Sequence, residues 1–459
     1  MKNSRAFREF KVEKAYFDVL SKEEKQILPI LKEAALILAQ IYIEQKRNSN
    51  QNPGASFYPH QASDKEIKDA CRKNPQILSP YTVVEYSEQD SQLLAVPYHL
   101  KYQKSLGKIS KLLLKAATIV KNKPLSTYLK VASQGLVNGD YKAMDIAWLK
   151  TSGSALQFLI GPYERNLDKR FFVKMAYLAF FGIKDQFYTK KAQEFTKILF
   201  TTLGDKPHRY TSPSKIQICS LHNVIFSGFI AEALTSTEHI PSDDLTIKQA
   251  GSRLMGYLST MDYKFDNLLY PIFNSIFEKK FRQSYSAELL RRGNYYLMLV
   301  YGLARQLHRY QGSRERLREL FPVFDETNSM VSGIQHSKHL VLKGVIDQRE
   351  LEAMIIMHIC WCFSEWVFAK VNPLRSDYLR GDALALNFYV RNEALKEIGG
   401  ISWPNFSKIF FVIENLSTIF VRILSEKGYQ QAQKFLRDNL SYEIFESFDS
   451  KLKKIRFPK

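Results

Sequence analysis

Ile160-Gly161-Pro162-Tyr163-Glu164 is the stretch on which the reading of this chain turns. The apolar run 156–160 before it reads as a short strand that ends in the Gly-Pro turn and leaves Glu164 at its mouth. Strand ends carry chemistry because the strand holds the side chain rigidly and its open end admits a ligand. Asp168, Lys174, Phe180 and Gly182-Ile183 follow, and the aromatic-rich residues 169–202 read as one long helix with Asp168 as its cap. Glu164 has two readings: a pocket carboxylate, or one half of an ion pair that orders the strand end.

Working outward, residues 81–86 and 93–96 alternate apolar and polar positions around a polar turn, the pattern of a β-hairpin. Ser63-Asp64-Lys65-Glu66 has the form of a capped helix start. Residues 102–137 read as two helices broken near Asn122-Lys123-Pro124. Residues 6–47 read as helix, 216–225 fit strand or helix, and helices dominate from Lys248 onward, with polar turns at Gly312-Ser313 and Thr327-Asn328-Ser329. The fold class expected is mainly α with a small β element. The expected segments are an N-terminal helical stretch 1–56, a lobe 57–215 carrying the hairpin and the strand, a helical lobe 216–445, and a basic tail 446–459.

The 459 residues carry a net charge of +20, with 31 Phe and 25 Tyr, enough aromatic surface for a large packed core. A basic balance of this size favours an acidic partner, nucleic acid or an anionic membrane surface. The alternative is that Lys and Arg coat the helices with no special partner, and their even spread along the chain supports it. Four cysteines are too few for a disulfide framework, which suits a reducing, cytoplasmic setting. Cys360 and Cys362 sit in the apolar run 354–363 and read as buried thiols. Met1–Lys25 lacks the apolar core of a secretory signal. The apolar stretches 354–367 and 406–424 are interrupted by charges and read as buried or amphipathic helices, so no integral membrane protein is expected.

Around the opening motif stand Asn74-Pro75, Ser79-Pro80-Tyr81-Thr82-Val83-Val84, Ala95-Val96-Pro97-Tyr98, Gly139-Asp140-Tyr141, Asp145 and Ala147-Trp148-Leu149, with Arg380-Gly381, Ala383-Leu384, Leu386-Asn387 and Tyr389 further on. In order and spacing they resemble the dipeptidyl-peptidase III family (zinc peptidases M49), above all its shorter bacterial branch. The resemblance implies two lobes with a cleft between them. It also implies a zinc site built from a His-Glu-x-x-x-His or His-Glu-x-x-His helix and a carboxylate from a second helix. None of the nine His here is followed by Glu. Laid on the family outline, the metal helix falls on residues 295–308, with Tyr301, Gly302 and Arg305 at the His, Glu and His positions, and Glu326 is the surviving carboxylate. Arg305 would set a fixed positive charge where the dication belongs.

The family's amino-group anchor, Glu-x-Tyr-x-Asp, corresponds to Glu164, Asn166 and Asp168. Its Asn-bearing segment corresponds to residues 240–244, and its transition-state His to Tyr378. Arg380, with Arg375 and Asp377 beside it, keeps a position facing the cleft or forms a structural salt bridge. The reading is therefore a catalytically inactive family member, without metal or other cofactor, that binds a peptide or protein segment in the cleft through Glu164, Asn166, Asp168, Tyr378 and Arg380. One alternative is an active hydrolase with a rearranged metal site, for which His336 and His339, spaced i, i+3, would join Glu326. The other is a basic protein that binds nucleic acid or a membrane surface.

Overall fold

The computed structural model describes residues 6–47, 55–203, 216–241, 243–370, 376–396, 401 and 403–455. The chain forms two compact units. The first comprises Met1–Gln186, Cys219–Thr235 and His239–Ser259, and the second Phe187–Ile218, Ser236–Glu238 and Thr260–Lys459. A single break at 215/216 was expected. Instead the chain passes back into the first unit twice, because later strands complete its sheet.

Among the described residues that sheet has six strands. They are β1 (Phe7–Glu9), β4 (Leu156–Glu164), β5 (Ala176–Lys184), β6 (Ile216–Gly228), β7 (Thr237–Ile240) and β8 (Ser252–Tyr257), while β2 (Thr82–Tyr86) and β3 (Leu93–Pro97) form the expected hairpin. The order is β4-β5-β6-β8-β7, with β1 also paired to β6. The fold is mainly α with a β element, as expected, and that element is extended by strands beyond residues 81–96 and 156–160. The largest correction is β5, which lies inside the residues read as helix. It pairs antiparallel with β4, Phe158 opposite Phe181 and Ile160 opposite Ala179, and on its other side with β6. A central strand covered on both faces shows an unbroken apolar run rather than alternation, so periodicity does not separate it from a buried helix. β4 does not stop at a turn either. It continues through Gly161 and Pro162 to Glu164, with a bulge between Pro162 and Glu164. Proline lacks a donor and is tolerated there because β4 is the sheet edge. Gly228 (φ 70°) ends β6 where a Cβ would fall 2.2 Å from the Tyr177 carbonyl oxygen.

Helices of nine residues or more cover this sheet and build the second unit. In the first unit they are α1 (Lys22–Lys46), α2 (Asp64–Lys73), α3 (Gln103–Ile119), α4 (Lys123–Asn138) and α5 (Tyr141–Leu149). Ser21 and Glu24 form a capping box at α1, and Ser63 caps α2 as its sequence indicates. Tyr128 of α4 accepts a hydrogen bond from the Ile160 backbone N–H (3.2 Å), and the Trp148 indole of α5 donates to the Phe158 carbonyl (3.0 Å). Two polar groups of the edge strand are thereby satisfied inside the core.

From the second unit come α6 (Gln186–Leu203), α7 (Ala287–Leu307), α8 (Phe321–Leu342), α9 (Gln348–Ala369), α10 (Ser376–Arg391), α11 (Phe406–Ser425), α12 (Tyr429–Asn439) and α13 (Glu443–Leu452). Thr327, Asn328 and Ser329, expected as a turn, lie within α8. Thr327 Oγ1 donates to the Val323 carbonyl and Ser329 Oγ to the Asp325 carbonyl, so each hydroxyl is satisfied by the preceding turn of its own helix. The tail expected from residue 446 is helical as far as Leu452, because Phe448 and Leu452 are buried. Among the described residues two helices, α1 and α9, are long and apolar enough to cross a membrane, and α9 is buried inside the unit. Its Cys360 and Cys362 are free thiols that burial pushes up, and burial pushes its His358 down to about 3.

Candidate functional site

Three helices of the second unit bring the residues of the metal-helix outline together. Glycines set how closely the helices approach. A Cβ on Gly333 of α8 would lie 2.9 Å from Val300 of α7, and one on Gly381 of α10 would lie 1.8 Å from Thr327 Oγ1 of α8. Across these contacts Tyr301 and Arg305 of α7 meet Asp325 and Glu326 of α8 and Tyr378 of α10. Glu326 is at the centre. One of its oxygens accepts a close hydrogen bond from the Tyr301 hydroxyl. The other takes Arg305 Nη2 at 2.9 Å and the Tyr378 hydroxyl at 3.2 Å. Arg305 Nε reaches Asp325 Oδ2 at 3.2 Å.

The side chains of Asp325 and Glu326 are 9% and 6% exposed, and that of Arg305 is 34% exposed. Burial pushes the Asp325 carboxyl up, and Arg305 only partly offsets this. Burial opposes the charge on Arg305, but Glu326, Tyr301 and Asp325 together hold the guanidinium more firmly protonated than usual. Burial, with Glu326 adding to it, raises the Tyr301 phenol well above its ordinary range. Both Glu326 oxygens accept from donors, and one of these, Arg305, has no lone pair to offer a metal. Among the described residues no group of three or more His, Cys, Asp or Glu is placed to hold a metal ion. Gly302 is buried in α7 between Tyr301 and Leu303 and brings no side chain to the set.

His336 and His339 do not join Glu326 there. His336 is buried and meets His308 instead, Nε2 to Nε2 at 2.9 Å, and His308 Nδ1 meets the Tyr310 hydroxyl at 3.1 Å. The His308 partner lies 28 residues away on another element, beyond what spacing along one helix reveals. Arg380 pairs within its own helix with Asp377, at 3.9 Å. Arg375 lies outside the described residues.

In the first unit Glu164 ends β4 beyond its bulge, and Asn166 and Asp168 follow the strand. Glu164 Oε1 accepts from the Asn166 backbone N–H at 2.8 Å. Asp168 caps no helix. It is fully buried and accepts from the backbone N–H groups of Arg170, Phe171, Val173 and Lys174 and from the Tyr58 hydroxyl, organising the loop that leads into β5. The Lys174 ammonium donates to the carbonyls of Ile77 and Ser79 and to Thr82 Oγ1, and burial lowers it to about 7. Asp145 of α5 is the residue the sequence underrates. It is buried and hydrogen-bonded to Tyr163, and burial, with Asp243 as a second anionic neighbour, pushes its carboxyl up to about 8. Asp243, from the 240–244 segment, caps the following short helix by accepting from the Thr246 N–H at 2.7 Å. Ser242 lies outside the described residues.

No protein-family model matches the chain. A curated relative, Nudix hydrolase 3 of Arabidopsis thaliana, is 24% identical over 340 residues. The match spans 72% of this chain but only 43% of that protein, so the chain covers less than half of the relative's length. Two solved structures match nearly throughout. Dipeptidyl-peptidase III from Caldithrix abyssi superposes with a TM-score of 0.84 at 20% identity, over 98% of this chain and 95% of its own. Dipeptidyl-peptidase III from Corallococcus sp. strain EGB gives a TM-score of 0.83 at 20% identity, over 98% and 94%. From its hairpin to its last helix, the chain has the dipeptidyl-peptidase III fold.

Proposed function

We propose that this protein is a catalytically inactive relative of dipeptidyl-peptidase III that acts by binding a peptide or protein segment. One observation carries the reading: both oxygens of Glu326 are taken by Tyr301, Arg305 and Tyr378. A hydrolytic zinc of the His-Glu-x-x-His type needs two imidazoles and a carboxylate with free lone pairs, and a Glu to activate water. On the family outline a phenol and a guanidinium fall at those places, and the guanidinium supplies positive charge beside the buried carboxylates. Metal is then unnecessary for the stability of the helix pair and is repelled by Arg305. Of the anchor residues, Glu164 and Asn166 remain at the strand end as candidates for the amino end of a peptide, whereas Asp168 is committed to its loop. A cytoplasmic location belongs to the same proposal and is supported by four cysteines that are all free thiols.

The test is zinc content per chain, after purification with zinc supplied and no chelator, together with turnover of a chromogenic dipeptide amide. The expected result is under about 0.1 zinc per chain and no turnover, against about one for a real site. Stoichiometric zinc with turnover that Glu326→Gln abolishes would refute the proposal. Turnover abolished by His336→Ala would point instead to a rearranged metal site.

A further inference from the structure

Charge is spread evenly along most of the sequence, but not in one segment. Residues 91–139 contain eight lysines, no arginine and no acidic residue. Helix α3 concentrates them. Lys104, Lys108, Lys111 and Lys115 are spaced i, i+4, i+7 and i+11, so at 100° per residue they share an arc of about 60° and extend for about 16 Å. All four are exposed, and among the described residues none of them forms an ion pair. The opposite face, Leu106, Ile109, Leu113, Ala116 and Ala117, is buried. The outer face is also smooth, since a Cβ on Gly107 would meet nothing within 4 Å. Exposed leucines flank the stripe, Leu100 at 56% and Leu114 at 44%.

We propose that this face of α3 docks the protein onto an anionic lipid surface. The residue types select that partner over nucleic acid. Phosphate recognition on nucleic acid favours arginine forks and exposed aromatic rings on which bases stack. This segment has no arginine, and its three aromatic residues, Tyr98, Tyr102 and Tyr128, are buried. Lysines are mobile point charges suited to a diffuse layer of anionic headgroups, and the flanking leucines add apolar contact at the interface. The inference does not depend on the peptide-binding reading.

The experiment is co-sedimentation of the full chain with vesicles of phosphatidylcholine containing about one-third phosphatidylglycerol, and with phosphatidylcholine alone. Binding is expected only to the anionic vesicles, and it should weaken strongly between about 0.1 and 0.5 M salt. Each lysine at the surface is worth about fivefold, so reversing all four (Lys104→Glu, Lys108→Glu, Lys111→Glu, Lys115→Glu) lowers the partition coefficient by more than about 100-fold. A control with the same change in net charge, reversing the exposed Lys279, Lys280, Lys427 and Lys434 to Glu, keeps most of the binding. A version with the four α3 lysines changed to Gln reproduces the loss without charge reversal, and circular dichroism checks that both variants fold. No binding to anionic vesicles, an equal loss in the control, or tighter capture by duplex DNA through the same four lysines would each overturn the proposal.

Discussion

Replacing Arg305 with Met tests whether the Tyr301–Arg305–Glu326 set is a closed structural unit. The variant keeps the length of the side chain and removes its charge. Asp325 and Glu326, 9% and 6% exposed, then remain side by side with their shared cation gone. Deleting one member of a buried ion pair typically costs about 3–5 kcal/mol. Solvent reaches a third of the Arg305 side chain and screens part of the interaction, so about 2–3 kcal/mol is the appropriate range. For a unit of this size that lowers its melting temperature by about 5–10 °C. The loss depends on pH in a defined direction. Asp325 already has a raised carboxyl, and its stabilising contribution is full below the unfolded carboxylate range and lost as pH rises through the elevated folded value. Removing Arg305 raises it further. The deficit of Arg305→Met is therefore larger at pH 8 than at pH 5. Adding Glu326→Gln relieves the repulsion and recovers more than half of the loss. Calorimetry of parent, single and double variants at both pH values measures all three effects. A single variant that melts within about 1 °C of the parent at pH 8, or a double variant whose losses simply add, refutes the reasoning.

Asp145→Asn should alter the pH profile of the first unit. With its carboxyl near 8 in the fold, Asp145 contributes full stability only below the unfolded carboxylate range and loses it progressively as pH rises to about 8, so in denaturant melts the Asn variant gains most on the parent at pH 9, about half as much at pH 6 and little at pH 4. Equal profiles for the two would show that Asp145 is not the group responsible. Gly381→Ala forces a Cβ into Thr327 Oγ1 at 1.8 Å and should destabilise the α8–α10 contact by about 1–3 kcal/mol, whereas Gly107→Ala in α3 meets nothing within 4 Å and should not destabilise. Equal melting of the two glycine variants would contradict the close approach. Asp168→Ala orphans the Tyr58 hydroxyl and four backbone N–H groups, so limited proteolysis should cut the 168–174 loop at least tenfold faster, a loss of about 1.4 kcal/mol or more. An unchanged cleavage rate would remove Asp168 from its organising role.

The legible parts of this chain were those with local punctuation. Ser63 and Asn122-Lys123-Pro124 mark helix starts with side chains that act within three residues, and both helices form where the sequence places them. The hairpin has a polar turn and alternating strands, and it too forms. Residues 176–184 carry no such signal. Their apolar run is set by burial on both faces, and a helix that packs on the strand, α1, is distant in sequence. The meeting of Tyr301, Arg305, Glu326 and Tyr378 followed from the family outline rather than from any periodicity. The pairing of His308 with His336 had no sequence signal, because it depends on how two helices cross.

The interleaved path of the sheet has a consequence for synthesis on the ribosome. The edge strand β4 and its neighbour β5 emerge early, but β6 and β8, the next two strands in order, come only with residues 216–257. Until Gly228 has left the exit tunnel, β5 presents an unpaired, strongly apolar edge, the kind of surface that recruits other strands. A ribosome paused between residues 186 and 216 would therefore hold an adhesive half-sheet. Nascent-chain chaperones would be needed most over that interval, and expression of residues 1–186 alone should yield aggregate rather than a soluble domain.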